Sequence, residues 1–177
     1  MKKLLLLFMA AATLVGCQAV RVSQDYAPET NFTQYKTFAY FKQGVDEADI
    51  SELDKKRILR ALDTEMAAKG FQKSATPDVI VNFFTDSKER VDVYNNLGWG
   101  GWGWGGWGWG WGGGFGNNVN RVTEGVLYID FIDAKSKELI WQGIGTAALK
   151  STPEKKIERT NEMVKEILMQ FPPMPNK

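Results

Sequence analysis

The sequence predicts an α+β fold in which a mixed or antiparallel sheet of about five strands carries two helices on one face, together with a disordered loop rich in glycine and tryptophan. Two observations support this class. Short runs rich in β-branched and aromatic residues recur along the chain, and two longer segments have the apolar periodicity of amphipathic helices. Their order along the chain is strands, helix, strands, hairpin, helix.

The first predicted elements are two short strands and a helix. The strands are an alternating run at residues 20–22 and an aromatic run at residues 37–41. Residues 51–69 follow as a helix, because Ser51 can cap its start and Gly70 can end it in a left-handed conformation. The apolar stripe expected on this helix is Leu53, Ile58, Ala61, Leu62 and Met66, and its expected solvated face is Lys55, Lys56, Arg57 and Arg60.

The next predicted strands lie on either side of a low-complexity segment. Residues 79–84 form a dense apolar run typical of a central strand, and residues 88–94 continue it with apolar and charged residues alternating. Residues 125–132 and 139–149 are separated by a short polar turn, which predicts a β-hairpin. In its second strand, alternation places Leu139 on the same face as Trp141.

A second helix is predicted near the end of the chain. Thr152 precedes Pro153, a residue suited to the first turn of a helix, and Pro172 follows the segment and stops it. The buried stripe expected on this helix is Ile157, Val164, Ile167, Leu168 and Phe171.

The N-terminal residues have the pattern of a secretory signal. A basic start precedes an apolar core at residues 4–15, which is too short to be taken for a membrane span. The core runs into Gly16 and Cys17, which resembles the lipobox of bacterial lipoproteins, whose cysteine thiol takes a diacylglyceryl group. We expect cleavage between Gly16 and Cys17, removal of residues 1–16 and lipidation of Cys17. The alternative is an ordinary signal peptide with a chance cysteine.

The remaining chain, residues 17–177, is predicted to be a single α+β domain that faces the periplasm. In enterobacterial lipoproteins an aspartate after the cysteine favours retention in the inner membrane, so Gln18 favours the outer membrane. Removal of the signal leaves 20 basic residues against 21 acidic ones, since two of the 22 lysines and arginines lie in the signal. This balance offers no electrostatic basis for binding nucleic acid.

A loop insertion at residues 95–120 interrupts the predicted sheet. Within it, residues 98–116 comprise twelve glycines, six tryptophans and one phenylalanine. Exposed rings of this kind could contact a membrane interface, a glycan, an envelope protein or a second copy of the loop, or the segment could be a neutral expansion. The aromatic side chains of this segment are Trp99, Trp102, Trp104, Trp107, Trp109, Trp111 and Phe115.

Composition argues against an enzyme. The chain has no histidine, which excludes histidine-based triads and histidine-ligated metal sites. Its one cysteine is the expected lipidation site, so no cysteine nucleophile remains. We therefore assign no catalytic residue, no metal site and no cofactor.

Several short motifs together resemble a bacterial lipoprotein family catalogued as domain of unknown function 4136. They are spread over nearly all of the expected mature chain, and they lie at residues 35–38, 69–71, 77–78, 125–130, 133, 138–143 and 171–173. The resemblance implies a periplasm-facing lipoprotein with an α+β domain and supplies no reaction. Within these motifs we assign structural roles to Asp130, Asp133, Trp141 and Gly143.

The expected function is that of a non-catalytic binding or scaffolding module of the cell envelope, tethered to the outer membrane by lipid. The alternative is a mainly structural envelope lipoprotein whose tryptophan-rich loop contacts membrane, glycan or itself. The expected partners are the membrane, through the N-terminal lipid, and through the loop an envelope protein, a glycan or a second copy.

Overall fold

The computed structural model describes residues 20–93 and 119–173, and these residues form a six-stranded sheet with three α-helices and a short 3-10 helix at Phe32–Gln34. The strand order is β1-β6-β5-β4-β2-β3. β2 pairs in parallel with β3 and β4, and the other pairs are antiparallel. The strands are β1 (Arg21–Tyr26), β2 (Thr37–Tyr40), β3 (Gln72–Lys73), β4 (Val79–Val93), β5 (Val119–Asp133) and β6 (Leu139–Ala148).

The helices are α1 (Lys42–Glu47), α2 (Glu52–Ala68) and α3 (Pro153–Met169). The Ser51 hydroxyl accepts the Asp54 amide at the start of α2, and the Thr152 hydroxyl accepts the Lys155 amide at the start of α3. Gly70, with φ of +84°, follows α2 in the left-handed region that glycine adopts without strain.

The long helices α2 and α3 cover one face of the sheet, and the hydrophobic core lies between them and the strands. Alternation along β5 directs Leu127, Ile129 and Phe131 into this core, where each is at most 3% exposed. The predicted α+β class is therefore confirmed, with one strand more than the five expected.

The additional strand, β3, is two residues long. It pairs with β2, and both of its side chains are exposed. A two-residue exposed strand has no apolar periodicity, so sequence patterns could not predict it. The short helix α1 was likewise not predicted from the sequence.

Two apolar residues assigned to buried helix stripes are exposed. Leu53 is 63% exposed and Ile157 is 47% exposed. Leu53 lies roughly 140° around α2 from Ile58, at 100° per residue, so it falls outside the face that meets the core. Ile157 is in the second turn of α3, whereas the buried residues of that helix begin at Arg159.

The assignment of Lys55 to the solvated face of α2 is also wrong. Its side chain is buried, and its Nζ donates to the Asp46 carbonyl at 2.7 Å and lies 3.2 Å from Glu52 Oε1. The sequence did not predict α1, and α1 supplies the carbonyl that receives this ammonium group.

The pairing of β5 with β6 contains a bulge that reverses one expected orientation. Phe131 pairs with Trp141, but Ile132 pairs with Leu139, so Ile140 is the additional residue. Ile140 consequently joins the core, and Leu139 is 50% exposed.

Candidate functional site

A cleft of about 380 Å³ opens between the N-terminal ends of α2 and α3 and the underlying sheet. It is built from four segments that are distant in sequence. Its lining residues include Asp54, Ile58, Leu127, Leu149, Lys156 and Met163.

The two long helices run in the same direction, so both of their N-termini lie at the cleft. At this end the charge of Lys156 on α3 acts on Asp54 of α2. At the other end the Nζ of Lys69, which follows α2, donates to the carbonyl of Phe171 at 2.7 Å. The positive ends of two helix dipoles therefore face the same region.

The floor of the cleft is apolar. Ile58, Leu127 and Met163 line it and are 5%, 3% and 8% exposed. Leu149, 57% exposed, lies over Gly125, since a Cβ placed on Gly125 would come within 2.6 Å of the Leu149 Cδ2. The absence of a side chain at Gly125 therefore leaves room for Leu149 at the mouth.

The rim carries charges of both signs, contributed by Lys150, Lys156, Asp49 and Asp54. Burial alone would raise the pKa of the Asp54 carboxyl, but hydrogen bonds from Ser51 and Arg57 and the charge of Lys156 hold this pKa below its ordinary value. Asp54 is thus a carboxylate at neutral pH. Apolar surface bordered by fixed charges suits a ligand with an apolar body and a charged group.

Several residues selected from the sequence lie outside the described residues. These are the predicted cleavage and lipidation positions Gly16 and Cys17, and the aromatic residues of the glycine and tryptophan segment. Of the part of the chain that the structure describes, no helix is long and apolar enough to cross a membrane. Within the same ranges, no three acidic or cysteine side chains are grouped as a metal site would require.

Asp133 shapes the turn between β5 and β6. Its Oδ1 accepts the amides of Lys135 and Ser136 at 2.7 and 2.8 Å, and its Oδ2 accepts the Tyr35 hydroxyl at 2.8 Å. The bond from the Ser136 amide is the largest cause that holds the pKa of Asp133 below its ordinary value. Asp133 therefore joins this turn to the segment that precedes β2.

Asp130 lies on the sheet face opposite the helices, where its Oδ1 accepts the Gln142 amide nitrogen at 2.8 Å. It is 9% exposed, and burial raises the pKa of its carboxyl. Asp130 and Asp133 have separate hydrogen-bond partners, and neither lines the cleft.

Trp141 and Gly143 form a packing unit beneath α3. Trp141 is fully buried, and its Nε1 donates to Gln24 Oε1 at 2.9 Å. A Cβ placed on Gly143 would lie 2.3 Å from the Trp141 ring and 2.4 Å from Ile167 Cγ2. The missing side chain lets α3 approach the sheet closely.

The cleft was not predicted from the sequence. Its residues come from positions 49–58, 85–87, 125–127 and 149–163 and share no local pattern. The one sequence feature that could have indicated the cleft is the pair Gly125 and Leu149. Gly125 begins the predicted hairpin and Leu149 ends it, so the two residues lie together at its open end.

Comparison with known proteins places the fold in context. Residues 22–173 match the family model described as Domain of unknown function (DUF4136). No match was found among curated proteins.

Among solved structures, a PDZ domain protein from Parabacteroides distasonis is 16% identical and covers 93% of this chain with a TM-score of 0.53. This chain spans only 39% of the length of that protein, and the likeness shows a shared fold. The PelC dodecamer from Paraburkholderia phytofirmans is 9% identical, with a TM-score of 0.42 over 84% of this chain and 95% of the PelC chain. The family match extends over most of the sequence, and the chain therefore belongs to the DUF4136 family.

Proposed function

We propose that this protein is a non-catalytic binding module of the cell envelope, anchored by lipid on Cys17 to the outer membrane and facing the periplasm. The anchor is supported by the basic start, the apolar core and the Gly16-Cys17 pair, and Gln18 supports the outer membrane. Only a few residues separate Cys17 from β1, so the domain would lie close to the membrane surface.

The observation that carries the binding role is the cleft between α2, α3 and the sheet. Its floor is apolar, its rim carries Lys150 and Lys156 as well as Asp49 and Asp54, and the positive end of the α3 dipole faces it. We infer that it takes an amphipathic ligand with an acidic group.

The anionic dye 1-anilinonaphthalene-8-sulfonate tests this site, because it combines an aromatic body with a sulfonate. Titrations use protein lacking residues 98–116, so that dye bound to the tryptophan segment does not contribute. Gly125→Leu fills the cleft from β5, and Lys156→Glu reverses a rim charge. Lys165→Glu, exposed on the same helix and away from the cleft, is the matched control.

We expect each cleft variant to weaken dye binding about tenfold, equivalent to about 1.4 kcal/mol, while Lys165→Glu leaves it unchanged. Equal affinity in all of the variants, with unchanged thermal melts, would show that the cleft is not the binding site.

The anchor is tested separately by mass spectrometry of the N-terminal peptide and by membrane fractionation of wild type and Cys17→Ser. An acylated Cys17 in the outer-membrane fraction, with Cys17→Ser released, is the expected result. An unmodified N-terminus in a soluble wild-type protein would contradict the lipid anchor.

A second candidate function is a mainly structural envelope lipoprotein whose tryptophan-rich segment makes the contacts. Six tryptophans within residues 98–116 favour it, because indole combines an apolar body with a polar edge. Cross-linking in intact cells separates the two functions. A specific partner that is lost with Gly125→Leu supports the cleft, and one lost only on deletion of residues 98–116 supports the segment.

A further inference from the structure

The sheet has a second face, opposite α2 and α3, which we call the outer face. It is formed by alternate residues of β4, β5, β6 and β1, since neighbouring residues of a strand point to opposite sides of a sheet. On β4 these residues are Ile80, Asn82, Phe84, Asp86, Lys88 and Arg90, while the alternate residues Val81 and Phe83 are fully buried beneath the helices.

The middle of the outer face is an apolar row that crosses the sheet. Phe84 pairs with Tyr128, Tyr128 with Ile144, and Ile144 with Ser23 on the edge strand. The Phe84 and Tyr128 rings stack with centroids 4.3 Å apart and planes 8° from parallel. Phe84 nevertheless remains 39% exposed, so this aromatic pair presents apolar surface to solvent.

The rows on either side of the apolar row differ in charge at the edge strand. The row on one side contains Asn82, Asp130, Gln142 and Asp25. The row on the other side contains Asp86, Val126, Thr146 and Arg21. Asp25 and Arg21 thus lie on β1 at equal distances from the apolar row, one acidic and one basic.

Beyond the second of these rows the face becomes basic. Arg21 and Arg90 both bond to the carboxylate of Glu124, and Lys88 pairs opposite Glu124 in the register. Two arginines therefore bond to one carboxylate at this end and Lys88 lies opposite it in the register, whereas the end beyond Asp25 and Asp130 carries Ile80 and Ile132.

We propose that the outer face binds the outer face of a second copy of this chain, with a two-fold axis along the row Phe84-Tyr128-Ile144. Such an axis places the apolar row of one copy against the same row of the other. It also reverses the strand direction, so that Asp25 of each copy faces Arg21 of the second copy. At this pair the face has the self-complementarity that a two-fold interface requires, and charge pairs of this kind set its register.

The size of the face suits a weak or transient dimer. With strands about 4.8 Å apart and a rise of about 3.3 Å per residue, the four strands present roughly 500 Å² in projection. Part of this area is already covered within one copy, since Val126 and Asp130 are 2% and 9% exposed. A standard interface buries roughly 800 Å² per partner, so this contact is smaller than standard. Face-to-face packing of two sheets about 10 Å apart is a common arrangement of β structure. The proposal does not depend on the ligand cleft, which lies on the opposite side of the sheet.

Cross-linking of the full chain in intact cells tests the proposal. Ser23→Cys places a thiol in the apolar row on the exposed edge strand, near the axis, where a short bis-maleimide can join two copies. Wild type, whose one cysteine is Cys17, is the control for reaction at the N-terminus. We expect a species of twice the chain mass from Ser23→Cys alone. Its absence, with Ser23→Cys labelled by a single maleimide, would overturn the dimer.

Deletion of residues 98–116 from the Ser23→Cys chain separates two sources of self-association. Persistence of the cross-linked dimer supports pairing through the sheet. Its loss would overturn the proposal and assign self-contact to the deleted segment.

Substitutions on the face give a second, independent test. Phe84→Asp should reduce the cross-linked fraction at least tenfold, whereas Leu53→Asp, on the helix layer, should not change it. Asp25→Arg should also reduce it, and the double variant Asp25→Arg with Arg21→Asp should restore it. Thermal melts of the purified variants identify any that fail to fold. Failure of the folded double variant to restore the dimer would overturn the register proposed here.

Discussion

At the scale of single residues, close packing determines which glycines can be replaced by a residue with a side chain. A Cβ on Gly143 would meet Trp141 and Ile167, which are both fully buried and cannot move freely. Overpacking of this kind costs about 1–3 kcal/mol, so Gly143→Ala should lower the free energy of unfolding by that amount. Gly125→Ala is the matched control, because its Cβ meets only the end of the half-exposed Leu149 side chain.

Urea denaturation of the two variants measures the difference. We expect a clear fall in midpoint for Gly143→Ala and little change for Gly125→Ala. Equal midpoints would show that α3 can shift away from β6 at little cost.

Asp130 provides a prediction about pH. Burial raises the pKa of its carboxyl above the ordinary value of 3.8, with the hydrogen bond from Gln142 acting in the opposite direction. Since the folded pKa is the higher one, the stabilising contribution is present below pH 3.8 and is lost as pH rises through the folded pKa. Asp130→Asn keeps an acceptor for Gln142 and removes the buried charge.

We therefore expect Asp130→Asn to melt at a higher temperature than wild type near pH 7, and the difference to disappear at about pH 3, where both side chains are neutral. Glu158→Gln, on the exposed side of α3, controls for the change in net charge. Melting curves monitored by circular dichroism across this range supply the measurement. Lower stability of Asp130→Asn near pH 7 would show that the fold stabilises the ionised carboxyl.

At the scale of secondary-structure elements, strong periodicity was enough to predict the long helices and strands. The helix expected at residues 51–69 is α2, Glu52–Ala68, with Ser51 as its cap. The interrupted pattern of residues 79–94 is one continuous strand, β4, paired along its full length with β5. Short elements and the bulge at Phe131 were not predictable, because they depend on contacts between segments distant in sequence.

The contact between α1 and α2 is one such long-range feature and can be tested at Lys55. Lys55→Met retains the apolar stem and removes the ammonium group that bonds to the Asp46 carbonyl. We expect a loss of about 1–3 kcal/mol and faster amide hydrogen exchange within α1. Lys56→Met, on the exposed side of the same turn, should change stability by less than about 0.5 kcal/mol.

Hydrogen exchange followed by mass spectrometry resolves α1 from the rest of the chain. Protection of residues 42–47 that is equal in the two variants would show that the packing of Val45, and not the lysine bond, holds α1 in place.

At the scale of the whole molecule, the sequence was informative about class and family but not about the cleft. The α+β class follows from the order of the periodic segments. The family follows from short motifs that are spread along the chain. The cleft depends on where the helix layer ends relative to the sheet, and the pattern of no single segment predicts that position. For the same reason, the polar and apolar rows of the outer face appeared only when the strand register was known.

The tryptophan segment adds a whole-molecule prediction, because its removal need not disturb the sheet. Val93 and Val119 are paired at the ends of β4 and β5, so deletion of residues 98–116 leaves six residues to connect them. A connection of six residues lies within the common range of lengths between secondary-structure elements. The deletion protein should therefore keep the circular dichroism spectrum of the full domain.

If the segment contacts membranes, tryptophan fluorescence of the Cys17→Ser protein should shift to shorter wavelength when phospholipid vesicles are added. The deletion protein contains its own control. Its one remaining tryptophan is Trp141, which is fully buried and bonded to Gln24, so its emission should not respond to vesicles. A shift that survives the deletion would indicate that vesicles perturb the core. No shift in the Cys17→Ser protein, with neutral or anionic vesicles, would contradict membrane contact by the segment and leave any attachment to the lipid on Cys17.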